Sequence, residues 1–124
     1  MPRLLSDADV AEFRERLIAA AERLFAEHGP DGVTMRQLAS ALGVSPMTPY
    51  RYFKDKDAIL AAVRASGFAR FASALEEATA ASEDGLDRSQ TTGRAYVRFA
   101  LGNPDAYRLM FDFAQPGEAD YPEL

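Results

Sequence analysis

The stretch VTMRQLASALGVSPMTPYRYF, from Val33 to Phe53, constrains the fold of this chain more than any other. Thr34 stands where a helix can begin, and Gln37, three residues on, completes a T-x-x-Q capping box. Met35, Leu38, Ala39 and Leu42 then recur at the spacing of one helix face. Gly43 is placed as the left-handed residue that ends such a helix, with Val44 positioned for the hydrophobic contact of that cap. Ser45 can cap a second helix, and Pro46 at its first position lacks only an N–H that would have no partner there. Two short helices joined by Gly43-Val44-Ser45 have the layout of a helix-turn-helix, a specific signal for a DNA-reading pair.

Pro49 falls inside the second of these helices. A proline at the fourth helical position forfeits a backbone hydrogen bond and disfavours helical geometry at the residue before it, Thr48. The sequence therefore predicts an irregular reading helix, one that begins near Thr48 or is a single distorted turn.

The remaining chain reads as helical throughout, with no strand-like alternation and no repeat. From about Val10 to His28, Val10, Phe13, Leu17, Ala20 or Ala21, Leu24 and Phe25 share one broad face, with Asp7 or Asp9 as the cap. Gly29-Pro30 and Asp31-Gly32 end this supporting helix, and His28 near its end is a C-terminal cap or a surface group. A long alanine-rich helix is expected from about Asp55 to Ala81, striped by Ile59, Leu60, Val63, Phe68, Phe71, Leu75 and Ala78. At roughly 1.5 Å per residue it reaches about 40 Å. Gly67 within it marks a close helix crossing or a bend. After a loop at Ser82–Gly85, helical spacing resumes from Leu86 to Leu101, weakened at Gly93 and stopped by Gly102. Asn103 is expected to cap a last helix with Pro104 at its first position, Tyr107, Met110, Phe111 and Ala114 on its face, and Pro116-Gly117 at its end. The expected architecture is all-α, with a helix-turn-helix domain over 1–55 and a partial helical regulatory domain over 56–124.

Composition narrows the chemistry. The 124 residues contain no cysteine and one histidine, so disulfides, thiolate zinc sites and cysteine nucleophiles are excluded. No paired carboxylates, base-activated nucleophile or glycine-rich phosphate loop stands out, which argues against an enzyme, a cofactor or a metal. The first ten residues carry charge too early for a signal peptide, and no apolar run approaches the roughly 20 residues of a membrane span, so the expected location is the cytoplasm. The net charge of −5 argues against nucleic acid until its distribution is considered. Residues 57–124 carry all of it, whereas within 34–56 Arg36, Arg51, Lys54 and Lys56 face Asp55 alone. A locally basic edge on an acidic body suits a protein that touches DNA with one end.

The motifs LF-x-x-x-G, D-G-V-T, R-x-L-A-x-x-L-G-V-S and Y-x-Y-F-x-x-K-x-x-I-L, all between Leu17 and Leu60, closely resemble the DNA-binding domain of the TetR family of transcriptional repressors. NPDAYRLMF, Asn103 to Phe111, is similar to the sixth helix in one branch of that family. The resemblance implies a homodimeric repressor that blocks a palindromic double-stranded DNA operator and is released by a small-molecule effector. Family members run on through three or more further helices that build the dimer interface and close the pocket. This sequence stops just after the sixth, so it is a fragment or a reduced member.

The expected DNA-contacting set is Thr34, Arg36, Ser45, Met47, Thr48, Pro49, Tyr50, Arg51, Tyr52 and Lys56. Major-groove reading needs side chains at the exposed start of the recognition helix. Met47, Thr48, Pro49 and Arg51 are therefore groove candidates: Thr48 and Pro49 against a thymine methyl, Arg51 against guanine or a phosphate. The resemblance implies a bidentate guanine contact for Arg36 and a backbone contact for Tyr50. Tyr52 is expected to face a phosphate and Phe53 the core. Thr34 caps first, and its hydroxyl or the adjacent amide can also meet a phosphate. Lys56 starts the long helix, where the macrodipole disfavours a cation unless a phosphate docks there as well. Phe68, Phe71, Tyr96, Phe99, Tyr107, Met110, Phe111 and Phe113 are plain core on spacing alone; the family suggests a ligand pocket instead. A helical ligand-binding or interaction module, with the helix-turn-helix as mere scaffold, is the competing reading.

Overall fold

The computed structural model describes residues 6–82 and 85–111, with the backbone alone at Gly85 and Leu86. It is all-α: among the described residues there are α1 (Asp7–His28), α2 (Met35–Leu42), α3 (Lys56–Ala80), α4 (Gly85–Gly102) and α5 (Pro104–Phe111), and no strand. Two 3₁₀ turns, Pro30–Gly32 and Thr48–Arg51, precede α2 and α3 respectively. The expectations at Phe113, Ala114 and Pro116-Gly117 lie outside the described residues.

The chain forms two compact units, Met1–Val63 and Arg64–Leu124, which part inside α3. In the first unit α1 contributes Leu17, Ala20, Ala21, Phe25 and Ala26 to the core, α2 contributes Met35, Leu38 and Ala39, and the opening turns of α3 contribute Ile59, Leu60 and Val63. Val33 and Phe53, from the connections, complete it. Each large side chain among these stabilises the fold by about 1.5–3 kcal/mol relative to exposure. Two expectations for α1 are corrected. Ser6, rather than Asp7 or Asp9, is the cap, and Asp9 serves as the reciprocal partner of its capping box. Val10, in the first turn of α1, is exposed rather than on the buried face. His28 ends the helix on the surface beside Glu27.

In the second unit Phe99 of α4 packs with Ala106 and Met110 of α5, and Phe71 and Ala74 of α3 lie against them. Gly67 is a close crossing: a Cβ there would meet the Met110 side chain at 3.1 Å. Asn103 holds the expected position directly before α5, but its side chain turns the other way. Its side-chain amide donates back to the Phe99 carbonyl, closing the end of α4, while its own carbonyl accepts the Tyr107 amide of α5. Pro104 does take the first position of α5.

By length and average composition alone, α3 is long and apolar enough to cross a membrane. Arg64 and Arg70 interrupt its apolar run, yet the average stays high because alanines fill the rest. Ile59, Leu60, Val63 and Arg64 are nonetheless already buried within the protein.

Candidate nucleic-acid interface

The interface is built on α2 and the turn that follows it. Gln37 N–H donates to Thr34 Oγ1 at 3.1 Å and Thr34 N–H donates to Gln37 Oε1 at 2.7 Å, so both halves of the capping box form. Gly43 adopts φ 69°, ψ 31°, in the left-handed region. Its N–H reaches the Ser40 carbonyl while Val44 N–H reaches the Ala39 carbonyl, the paired bonds of a Schellman cap. These local bonds fix both ends of α2. Arg36, in its first turn, is left exposed, while Met35 and Leu38 on either side of it are buried.

The second helix departs from regularity where Pro49 predicted that it would. Ser45 and Pro46 do not open an α-helix: the Ser45 hydroxyl accepts the Met47 amide, and its carbonyl accepts the Thr48 amide at 2.9 Å. The chain then makes only the 3₁₀ turn Thr48–Arg51, with the Pro49 carbonyl accepting both the Tyr52 and the Phe53 amides. A proline ring has no N–H to continue an α-helical ladder, and the shared carbonyl closes the turn.

Side chains on this turn divide sharply. Met47 is 65% exposed and Tyr50 47%, and Arg51 is exposed, whereas Pro49 and Phe53 are buried. Pro49 is therefore removed from the base-contact set: its ring fills the core under the turn and cannot reach a thymine methyl. Thr48 is half-buried. Tyr52 is half-buried too, its ring 4.5 Å from that of Phe13 on α1. Beside it the Arg14 guanidinium lies 4.4 Å over the Phe53 ring. Sequence reading placed Phe13 on the inner face of α1 and missed its partner, and it gave Arg14 no role. Spacing within one helix carries no record of which loop lands on it.

Asp55 caps α3, its Oδ1 accepting the Ala58 amide at 2.9 Å. Lys56 thus occupies the first helical position, half-buried, with Lys54 exposed just before it. Arg36, Arg51, Lys54 and Lys56 are the cations of this segment.

The aromatic residues of the second unit pack on one another. Phe71 meets Tyr96 and Phe99, each at 5.3 Å, Tyr107 lies 4.9 Å from Phe111, and the Tyr96 and Tyr107 hydroxyls are 3.0 Å apart. Phe68 stands edge-on to Phe111. A cleft of about 510 Å³ runs beside them, lined by Ala74, Glu77, Ala78, Ala95, Arg98, Phe99, Gly102 and Asn103. Of the expected pocket residues it touches Phe99 alone.

Residues 17–63 match the family of bacterial regulatory proteins named tetR. The HTH-type transcriptional repressor Rv1474c of Mycobacterium tuberculosis is 35% identical over 86 residues, which are 69% of this chain and 42% of that protein. Residues 17–63 thus carry the sequence of a TetR-family domain. A TetR family transcription regulator from Marinobacter aquaeolei VT8 superposes with a TM-score of 0.71 at 25% identity, over 78% of this chain and 51% of that one. A Rhodococcus sp. RHA1 protein of unknown function does so with a TM-score of 0.68 at 39% identity, over 79% and 51% respectively. The chain thus spans about half the length, or less, of these TetR-family and related proteins. Its helix-turn-helix lies within the segment that matches the tetR family, and helical structure follows it as in the solved relatives.

Proposed function

We propose that this chain is a TetR-type transcriptional repressor whose first unit reads a palindromic operator through the major groove. The observation that carries the reading is the division of the 34–56 segment. Met35, Leu38, Pro49 and Phe53 hold it to the core, while Arg36, Met47, Tyr50, Arg51 and Lys54 stand on the surface. Arg36 makes the bidentate guanine contact, and Met47, Thr48 and Arg51 lie along base edges. Tyr50, Tyr52 and Lys56 hold phosphates, with Thr34 and Ser45 at the helix and turn starts beside them. The regulatory part begins at residue 56. There a small-molecule effector of unassigned identity binds in the cleft that Phe99 lines, with Phe68, Phe71, Tyr96, Tyr107, Met110 and Phe111 packed behind it. The working form is a cytoplasmic homodimer, repressing by occupancy of the operator.

The test is selection of bound sequences from a random duplex pool at fixed physiological salt. A two-fold symmetric consensus establishes reading and pairing together, and its half-site spacing measures the separation of the two heads. A single half-site retains the reading and removes the dimer. No enrichment removes the repressor and favours a helical ligand-binding or interaction module.

A further inference from the structure

We infer that Phe13 and Arg14 of α1 are positioning residues that set the direction in which the reading turn presents its side chains, an inference that rests on the DNA-reading function proposed above. The turn has little internal structure with which to orient itself. It is four residues long, is 3₁₀ in geometry, and contains a proline with no amide to donate. An α-helix of two turns would carry its side chains on a self-supporting ladder; here orientation has to come from docking.

Two consecutive residues of α1 grip two consecutive residues at the end of the turn. The Phe13 ring lies 4.5 Å from that of Tyr52, tilted by 31°, and the Arg14 guanidinium sits 4.4 Å above the face of Phe53. Offset rings and a cation over a ring both have a preferred geometry, unlike contacts between aliphatic groups. The pair therefore fixes rotation about the chain direction as well as distance. Tyr50 and Arg51 come directly before the gripped residues, so a few degrees of rotation at Tyr52 and Phe53 moves their tips across a base edge. Phe53 is buried in the core of the first unit and keeps the turn attached; what Phe13 and Arg14 add is its angle.

The variants are Phe13→Leu and Arg14→Met, which keep apolar bulk, with Phe13→Tyr and Arg14→Lys as conservative rescues. The readout is the ratio of affinity for the selected duplex to affinity for a scrambled duplex of equal length at equal salt. A second readout is amide hydrogen exchange at Tyr50–Phe53 against that at Leu17–Phe25. The expected result is a fall in the ratio of about 5-fold for Phe13→Leu and about 3-fold for Arg14→Met. Faster exchange should appear at the turn while α1 is unchanged, and Phe13→Tyr should restore both readouts. Affinities for both duplexes falling together, with exchange quickening throughout the first unit, would overturn the inference by making Phe13 an ordinary core residue. An unchanged ratio in both variants would overturn it as well. If the unmodified chain recovers no preferred sequence, the DNA-reading function itself fails and the inference with it, and that failure is visible before any substitution is made.

Discussion

The Arg64 guanidinium Nε donates to the backbone carbonyl of Leu109 at 2.8 Å, tying α3 to the last turn of α5 inside the second unit. Arg64 is only 4% exposed, the one charged side chain among the buried residues described. A helix end has carbonyls without intrahelical partners, and a cation placed there also meets the negative end of the helix dipole. Arg64→Ala strands that carbonyl and leaves a cavity, so it should cost about 2–4 kcal/mol. Arg64→Met, which fills the space but donates nothing, should cost less. Chemical denaturation of the two variants checks the order; equal losses would assign the whole effect to the bond, and no loss in Arg64→Met would mean that the bond contributes little beyond packing.

Two glycines in helix interiors of the second unit, Gly67 and Gly93, should respond oppositely to alanine. Nothing lies within 4 Å of a Cβ built at Gly93, so Gly93→Ala should stabilise by about 0.5–1 kcal/mol through helix propensity alone. At Gly67 the same methyl meets Met110 at 3.1 Å, and the propensity gain is offset by crowding in a buried site. Thermal melts should show Gly93→Ala above the parent and Gly67→Ala at or below it.

At the ends of α2, Thr34→Ala should cost about 1 kcal/mol and Thr34→Ser much less, because only the hydroxyl acceptor is needed for the Gln37 amide. Gly43→Ala should cost about 1–2 kcal/mol, since its φ of 69° is strained for an L-residue even though no atom obstructs the methyl. Circular-dichroism melts would separate these from a general loss of packing.

For DNA, Arg36→Ala should weaken specific binding by about 10- to 100-fold and relax preference at one base pair. Lys56→Ala should weaken all duplexes alike and reduce the salt slope by about one. Neither residue contributes to the hydrophobic core, so melting temperatures should stay near the parent value. Binding isotherms across a salt series distinguish the two roles, and a salt-independent affinity would count against phosphate contacts altogether.

What was legible in the chain was mostly local. Thr34, Gln37 and Gly43 specify their own hydrogen bonds within a few residues, and the bonds form where the letters place them. The irregularity at Pro49 follows from one missing N–H, so it too could be read. The errors arose where a residue had two neighbours to choose between. Ser6 stood one residue ahead of an equally plausible Asp7, and Asn103 could serve the helix before it or the helix after it. Tertiary partners left no local mark: Phe13 against Tyr52 and Arg64 against Leu109 each depend on a residue far along the chain. The aromatic residues of the second unit were recognised as a set from helical spacing, but spacing could not say that their rings would pack on each other.

The Thr48–Arg51 turn also bounds how much information one head can extract from a genome. At about 2.0 Å of rise per residue, four residues extend about 8 Å, close to two steps of a duplex with 3.4 Å between base pairs. Reading about two or three base pairs leaves a recognisable word that recurs by chance about once in every few tens of positions. Among the roughly 10⁶ or more competing sites of a genome, such a word addresses nothing. On the proposed reading the rest of the address comes from Arg36, outside the turn, and from a second head that reads the same word again.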